Sequence, residues 1–192
     1  AFYTYFTNKI TGDFDSDPDK IIYDNLKGYG ISRGFSVNFD YGFSFPLNFL
    51  IGVSYLDVYQ KFDDARGKVR QLHAPKWSGT YSFTYRFQNN LTVDFNGQFY
   101  GPMRLPTVAG DFRPEYSPFY SLANIQVSKS FSSGFEVYFG VKNLFNFTPE
   151  NPILRPFDPF DRNADDAVSN PNGYTFDTTY GYAPMQKIRG FL

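Results

Sequence analysis

Cysteine is absent from the 192 residues, which excludes a disulfide framework and any thiolate-ligated metal. Histidine occurs once, as His73 in "RQLHAPKW", and one imidazole makes neither a catalytic constellation nor a metal cluster, so a solvated loop residue is its ordinary reading. A charge excess is missing too. The 18 Lys and Arg face 19 Asp and Glu, for a net charge of −1, so nothing argues for the basic face that a nucleic-acid binder presents. No run of about 18 apolar residues occurs, and mean hydropathy is −0.41, so no helix is expected to cross a membrane. "AFYTYFTNKI" lacks a basic start, apolar run and cleavage site in that order, and no signal peptide is read there. The chain is expected to begin already inside a strand, as a piece of a longer protein. A nucleophile elbow and a phosphate-cradling glycine loop are both lacking. Neither an enzyme nor a cofactor is expected.

Aromatic residues, by contrast, make up 21% of the chain, nearly all of them Phe and Tyr. They recur with a period of two. In "WSGTYSFTYRF", Trp77, Tyr81, Phe83, Tyr85 and Phe87 alternate with Ser78, Thr80, Ser82, Thr84 and Arg86. "LTVDFNGQFY" sets Leu91, Val93, Phe95 and Phe99 against Thr92, Asp94, Asn96 and Gln98. The same holds for Phe35 to Tyr41, Phe49 to Tyr55, Ala123 to Val127 and Val137 to Val141. This is the half-buried strand signal, and no 3.6-residue period competes with it. Eight strands are read, from Ala1–Ile10 to the last, "YAPMQKIRGFL".

Short and long connections alternate strictly. "SFP", "QNN" and "SSG" are short; residues 11–28, 62–76, 105–117 and 148–182 are long and hold most of the Pro and Asp. Compact soluble domains seldom carry several loops beyond about 12–15 residues. Outer-membrane barrels carry them routinely, with short periplasmic turns, long outer loops, and strands apolar toward lipid and polar toward the lumen. Lipid offers no hydrogen bonds, so strands crossing it must pair with neighbours. Phe43, Phe45, Phe87, Phe131 and Phe135 at the short turns, and Tyr29, Tyr59, Trp77 and Tyr100 at the other ends, resemble two interfacial girdles. The alternative is a soluble β-sandwich, whose strands also alternate. The inward residues are mostly Ser, Thr, Asn and Gly, with Gly30, Gly34, Gly42, Gly52 and Gly140 among them, which suits a wide lumen better than a filled eight-stranded barrel. The fold expected is all-β: an antiparallel transmembrane barrel segment occupying residues 1–192, with a last strand that is incomplete.

"FGVKNLFNFTPENP" refines this. Val141, Lys142, Asn143, Leu144, Phe145 and Asn146 resemble the V-x-N-L-F-[ND] signature near the end of TonB-dependent outer-membrane receptors, and "PMQKIRGFL" with Arg189 resembles the start of their final strand. "GYTFDTTYGYAPMQKIRGFL" looks like receptors of Bacteroidetes-type bacteria. The resemblance implies a 22-stranded barrel filled by an N-terminal plug, of which these would be the last eight strands. It implies uptake of a scarce nutrient of the ferric siderophore, haem or cobalamin type across the bacterial outer membrane, with long loops extracellular. The partners implied are TonB, ExbB and ExbD through the plug, a small-molecule metal chelate, outer-membrane lipid and lipopolysaccharide, and a surface lipoprotein. A SusC-like glycan importer and a self-contained eight-stranded barrel with an adhesive or structural role are the alternatives.

Tyr100 and Arg104 are expected to point inward at the outer mouth, with Tyr120 across from them, where they would contact an anionic or aromatic chelate; wall residues are the bland reading. Asp13, Asp15, Asp17 and Asp19 alternate in an oxygen-rich loop that suits calcium, although the EF-hand glycine and terminal Glu are missing; a solvated loop is the bland reading, as it is for Asp158 to Asp166. Arg66, Lys68, Arg70 and Lys76 cluster in one outer loop, where lipopolysaccharide phosphates and plain solubility are equal explanations.

Overall fold

A computed structural model describes residues 1–13, 21–107, 111–152, 166–168, 171 and 180–192. Its strands are β1 (Phe2–Thr7), β2 (Ile10–Asp13), β3 (Ile22–Asn25), β4 (Gly28–Gly42), β5 (Leu47–Phe62), β6 (Lys68–Arg70), β7 (Trp77–Arg86), β8 (Leu91–Tyr100), β9 (Tyr120–Ser130), β10 (Glu136–Lys142) and β11 (Arg189–Phe191). Among the described residues there is no helix. Eight of these strands lie side by side in the order β1-β4-β5-β7-β8-β9-β10-β11, each antiparallel to its neighbours, and β1 does not pair with β11. The sheet is open.

Register makes the alternation continuous across strands. Tyr41, Phe49, Phe83, Phe95, Ile125, Val141 and Gly190 form one transverse row. The next row, on the opposite face, runs Asp40, Leu50, Ser82, Asn96 and Asn124. Among the described residues nothing covers the apolar rows: Phe39 and Phe139 are both 51% exposed and Val37 is 57% exposed. A sandwich would bury that face under a second sheet. A contiguous exposed apolar surface of this kind marks contact with lipid or a partner. On the polar face, Thr84 donates to Asp94 at 2.6 Å, Asn124 to Asn96 at 3.2 Å, and Ser36 meets Ser54 at 2.8 Å.

The short turns are set by local chemistry. Phe87 N–H donates to Leu91 O at 2.8 Å around Asn90 at φ 56°, and Phe131 N–H donates to Phe135 O at 2.8 Å around Gly134 at φ 83°. Asn and Gly are the residues that tolerate this left-handed backbone.

Four expectations need correction. The connection after β1 holds the β2–β3 hairpin, whose Thr11 donates to Gln60 at 2.8 Å and whose neighbour Lys9 donates to Gln71 at 3.3 Å. The connection after β5 holds β6, paired with Tyr59, Gln60 and Lys61. The last strand is shorter than read, Arg189–Phe191 only. The aromatic residues grouped at the long-loop ends of the strands also divide. Phe35, Tyr55 and Trp77 interlock at centroid distances of 4.8–6.1 Å, whereas Tyr29 and Tyr59 lie four or more residues further along the long β4–β5 hairpin. Tyr100 pairs with Ser78 on the polar face and is not a girdle residue.

Candidate functional site

At the long-loop end the sheet acquires a core. Met103, Leu105, Tyr120 and Tyr180 are buried together, with Tyr100, Leu122, Phe147, Tyr182 and Ala183 packed around them. These residues come from β8, β9 and the β8–β9 and β10–β11 connections, so the cluster ties those loops down onto the strand ends. Tyr120 is its centre. Its ring stacks on Tyr100 at 5.1 Å and lies parallel to Phe147 at 4.6 Å, and its hydroxyl donates to Tyr182 O at 2.8 Å.

Beside it lies an ion pair sealed from solvent. Arg113 Nη2 donates to Asp111 Oδ2 at 2.8 Å and Nε to Oδ1 at 3.0 Å, with side-chain exposures of 0% and 2%. The guanidinium lies 4.0 Å from the Tyr180 ring centre, and the Tyr180 hydroxyl donates to Pro114 O at 2.8 Å. Burial pushes the Tyr180 hydroxyl up to about 12, against the opposing pull of Arg113. Burial also raises Tyr182, helped by the carboxylate of Glu150. Both phenols are neutral at neutral pH.

The cluster walls a concavity of about 620 Å³ formed by Pro114, Tyr116, Ser117, Phe145, Phe147, Glu150, Tyr180 and Tyr182, among others. Aromatic faces with neutral hydroxyls and one carboxylate can bind a planar or polar small molecule. Among the described residues of that wall there is no activated nucleophile and no base–nucleophile pair. A second concavity, of about 400 Å³, lies on the polar face between Ser82, Asn96, Asn124, Lys142, Lys187 and Arg189.

Of the three residues singled out in the sequence, the structure brings Tyr100 and Tyr120 together, with Tyr120 only 4% exposed. Arg104 has other company: its Nε donates to Glu115 at 3.1 Å, and its backbone bridges to Leu72 and Tyr116. Phe147, Tyr180, Tyr182, Asp111 and Arg113 were not singled out. His73 is exposed at φ 53°, its N–H on Arg104 O at 2.9 Å. Of the acidic loop, Asp15, Asp17 and Asp19 lie outside the described residues, and Asp13 closes β2. Among the described residues no three His, Cys, Asp or Glu side chains form a metal-holding group.

The signature segment has a structural job. Asn143, 8% exposed and at φ 51°, receives Phe147 N–H on Oδ1 at 3.0 Å and donates from Nδ2 to Phe147 O at 2.8 Å and Gln186 O at 3.0 Å. Its own N–H donates to Asn124 Oδ1 at 3.2 Å, and Ile188 N–H donates to Asn146 Oδ1 at 3.0 Å. Together these two Asn residues bind β9, the turn after β10 and the segment leading into β11.

Comparison with known proteins agrees with this architecture. The family model described as "TonB dependent receptor-like, beta-barrel" matches residues 1–144. No curated protein sequence is significantly similar. Among solved structures, the ferric-catecholate import receptor Fiu of E. coli K12 superposes with a TM-score of 0.61 at 12% identity over 98% of this chain and 23% of its own. P. aeruginosa FpvA, in complex with a heterologous iron-loaded pyoverdine, gives 0.56 at 14% over 76% of this chain and 20% of its own. The FrpB iron transporter of Neisseria meningitidis gives 0.55 at 12% over 98% and 27%. At such identities the likeness is one of fold, and the chain spans about a quarter of these proteins' length or less.

Proposed function

Since the chain belongs to the TonB-dependent receptor-like β-barrel family, a family of outer-membrane proteins, we propose that it forms the C-terminal strands of a receptor that takes up a metal chelate or similar scarce nutrient with energy from TonB. The substrate class favoured is the ferric siderophore, haem or cobalamin type. The observation that carries the reading is the junction of two features on one sheet: an exposed apolar face, and an aromatic, hydroxyl-lined concavity at the long-loop end. That junction supports a binding surface facing an external ligand. The solved structures of similar fold are described as an import receptor for ferric catecholate and as an iron transporter, which supports the metal-chelate reading. Coupling to TonB would run through a plug that these residues do not include.

The open sheet argues against a self-contained eight-stranded barrel, because β1 and β11 do not meet. Unpaired strand edges do not persist in hydrocarbon, so further strands must complete the wall. The test is uptake by the native bacterium of radiolabelled iron chelates, haem and cobalamin, with and without the full-length gene and with and without TonB. Loss of uptake of one ligand class in both deletions is expected. Undiminished uptake of all three classes, with loss of glycan import, would replace the reading by the glycan-importer alternative.

A further inference from the structure

Glu150 gives the aromatic concavity a sign. The described wall carries five rings, those of Tyr116, Phe145, Phe147, Tyr180 and Tyr182, and Glu150 is the one charged side chain among its described residues. Tyr116 is 42% exposed and Phe145 59% exposed, so ring surface is open to a solute. After burial, the Glu150 carboxylate is the next cause that raises the Tyr182 hydroxyl, which puts it close to that ring. Arg113 lies behind the Tyr180 ring at 4.0 Å but brings no net charge, because Asp111 pairs with it out of solvent.

The connection that supplies much of this wall is acidic as well. Residues 148–182 hold six carboxylates, Glu150, Asp158, Asp161, Asp165, Asp166 and Asp177, against Arg155 and Arg162. Basic side chains of the long-loop end line another cavity, of about 140 Å³, where Lys9, Arg66, Arg70 and Arg104 stand with no Asp or Glu among the described lining residues. Arg104, the cation expected to meet an anionic chelate, is thus not on the aromatic wall. A cation approaching that wall is favoured twice. The acidic connection raises its local concentration, and the negative faces of the rings attract it on contact. An anion meets repulsion from Glu150 and from the same ring faces. A neutral planar solute gains from burial alone.

We propose that this concavity recognises a positively charged group of its solute, a protonated amine or quaternary ammonium held among Tyr116, Phe145, Phe147 and Tyr182 with Glu150 as counter-ion. The inference rests on the uptake reading above and narrows it. The nutrient, or the chelator that carries it, bears a cationic arm, and a chelate whose groups are all anionic is disfavoured at this wall.

The test uses the full-length protein in mild detergent and three probes that share a phenyl ring: benzyltrimethylammonium, benzyl alcohol and benzenesulfonate. Affinities are read by saturation-transfer NMR titration, with the signal of protein-free micelles subtracted. Wild type is expected to bind the ammonium about tenfold more tightly than the alcohol, and the sulfonate more weakly than either. Glu150→Gln should weaken the ammonium about tenfold and leave the alcohol unchanged. Phe145→Leu removes a ring face and keeps the charge, and should weaken the ammonium about threefold relative to the alcohol. Equal affinity for ammonium and alcohol, a preference for the sulfonate, or wild-type ammonium binding in both variants overturns the proposal. Should the variants fail to assemble, the wild-type order of the three probes decides alone. Uptake by the native bacterium separates this inference from the transport reading. Uptake of an iron chelate, haem or cobalamin without that order of probes sinks the inference alone. That order without uptake of any of them leaves the cation site standing and sinks the transport reading.

Discussion

Asn143 shows how one residue can serve three segments. Its left-handed backbone is one that Asn adopts readily and Ala does not. Its amide satisfies backbone groups of Phe147 and Gln186 that are otherwise left without these partners. Asn143→Ala should therefore destabilise the native protein by on the order of 2–4 kcal/mol, from unsatisfied polar groups plus backbone strain. Asn143→Asp keeps the backbone preference and the Oδ1 acceptor but loses both donated bonds, and should fall between. Heat-modifiability midpoints on gels rank the three; an Ala variant as stable as wild type would remove Asn143 from this role. Gly140 makes a second test. An added Cβ there would lie 2.1 Å from Phe191 Cζ, because the Phe191 ring covers the glycine across the β10–β11 ladder. Gly140→Val should displace that ring and loosen β11, read as faster proteolysis near Arg189. At Tyr180 the prediction concerns pH. Its folded-state value is raised to about 12 from an ordinary value near 10, so the stability it lends is complete below about pH 10 and is lost as pH climbs through 12. Tyr180→Phe should abolish that component of the alkaline loss, followed by unfolding midpoints across the alkaline range.

Among the elements, the β7–β8 hairpin gives the sharpest test of which face is which. Phe83 opposes Phe95 on the apolar rows, and Ser82 opposes Asn96 on the polar ones. A mid-membrane Arg on the lipid face costs about 2–4 kcal/mol. Phe83→Arg should therefore block assembly far more than Ser82→Arg, measured as the folded fraction in outer membranes; equal tolerance would refute the register. These strands were legible in the sequence because lipid on one side and a polar interior on the other impose a strict two-residue period over seven to sixteen residues. The short strands β2, β3 and β6 were not, since three or four residues inside polar connections carry too little pattern. Arg33 and Asp57 were overlooked for the opposite reason. They face each other across the β4–β5 ladder in phase with the apolar rows, and a charge in that phase reads only as a break in the pattern. The aromatic cluster was half legible. Tyr100 and Tyr120 could be paired from strand register, but Tyr180, Tyr182 and Arg113 join them through loops, and no local period reports such contacts.

For the molecule as a whole, the open sheet decides what residues 1–192 can do alone. The outer edges of β1 and β11 present unpaired backbone groups, each of which costs several kcal/mol in hydrocarbon. Curling the sheet so that β1 meets β11 would hide them, yet the inward residues Ser36, Asn38, Gly52, Thr80 and Asn96 are too small to fill the narrow interior of an eight-stranded barrel. Water or voids would take that space. In the intact protein we expect β1 to pair with the strand before it and the strand begun by β11 to pair with the first strand of the wall, which leaves the polar face looking onto a wide lumen. Two measurements follow. In intact cells, a cysteine at Ala65 should react with an impermeant maleimide and one at Ser133 should not; the reverse pattern would invert the barrel in the membrane. Refolded alone in detergent, residues 1–192 should give heterogeneous, protease-sensitive material, because no arrangement of these strands satisfies both the edges and the interior. A monodisperse, heat-modifiable barrel from that segment would show that the interior can be filled after all, and would restore the small self-contained barrel as the reading of this chain.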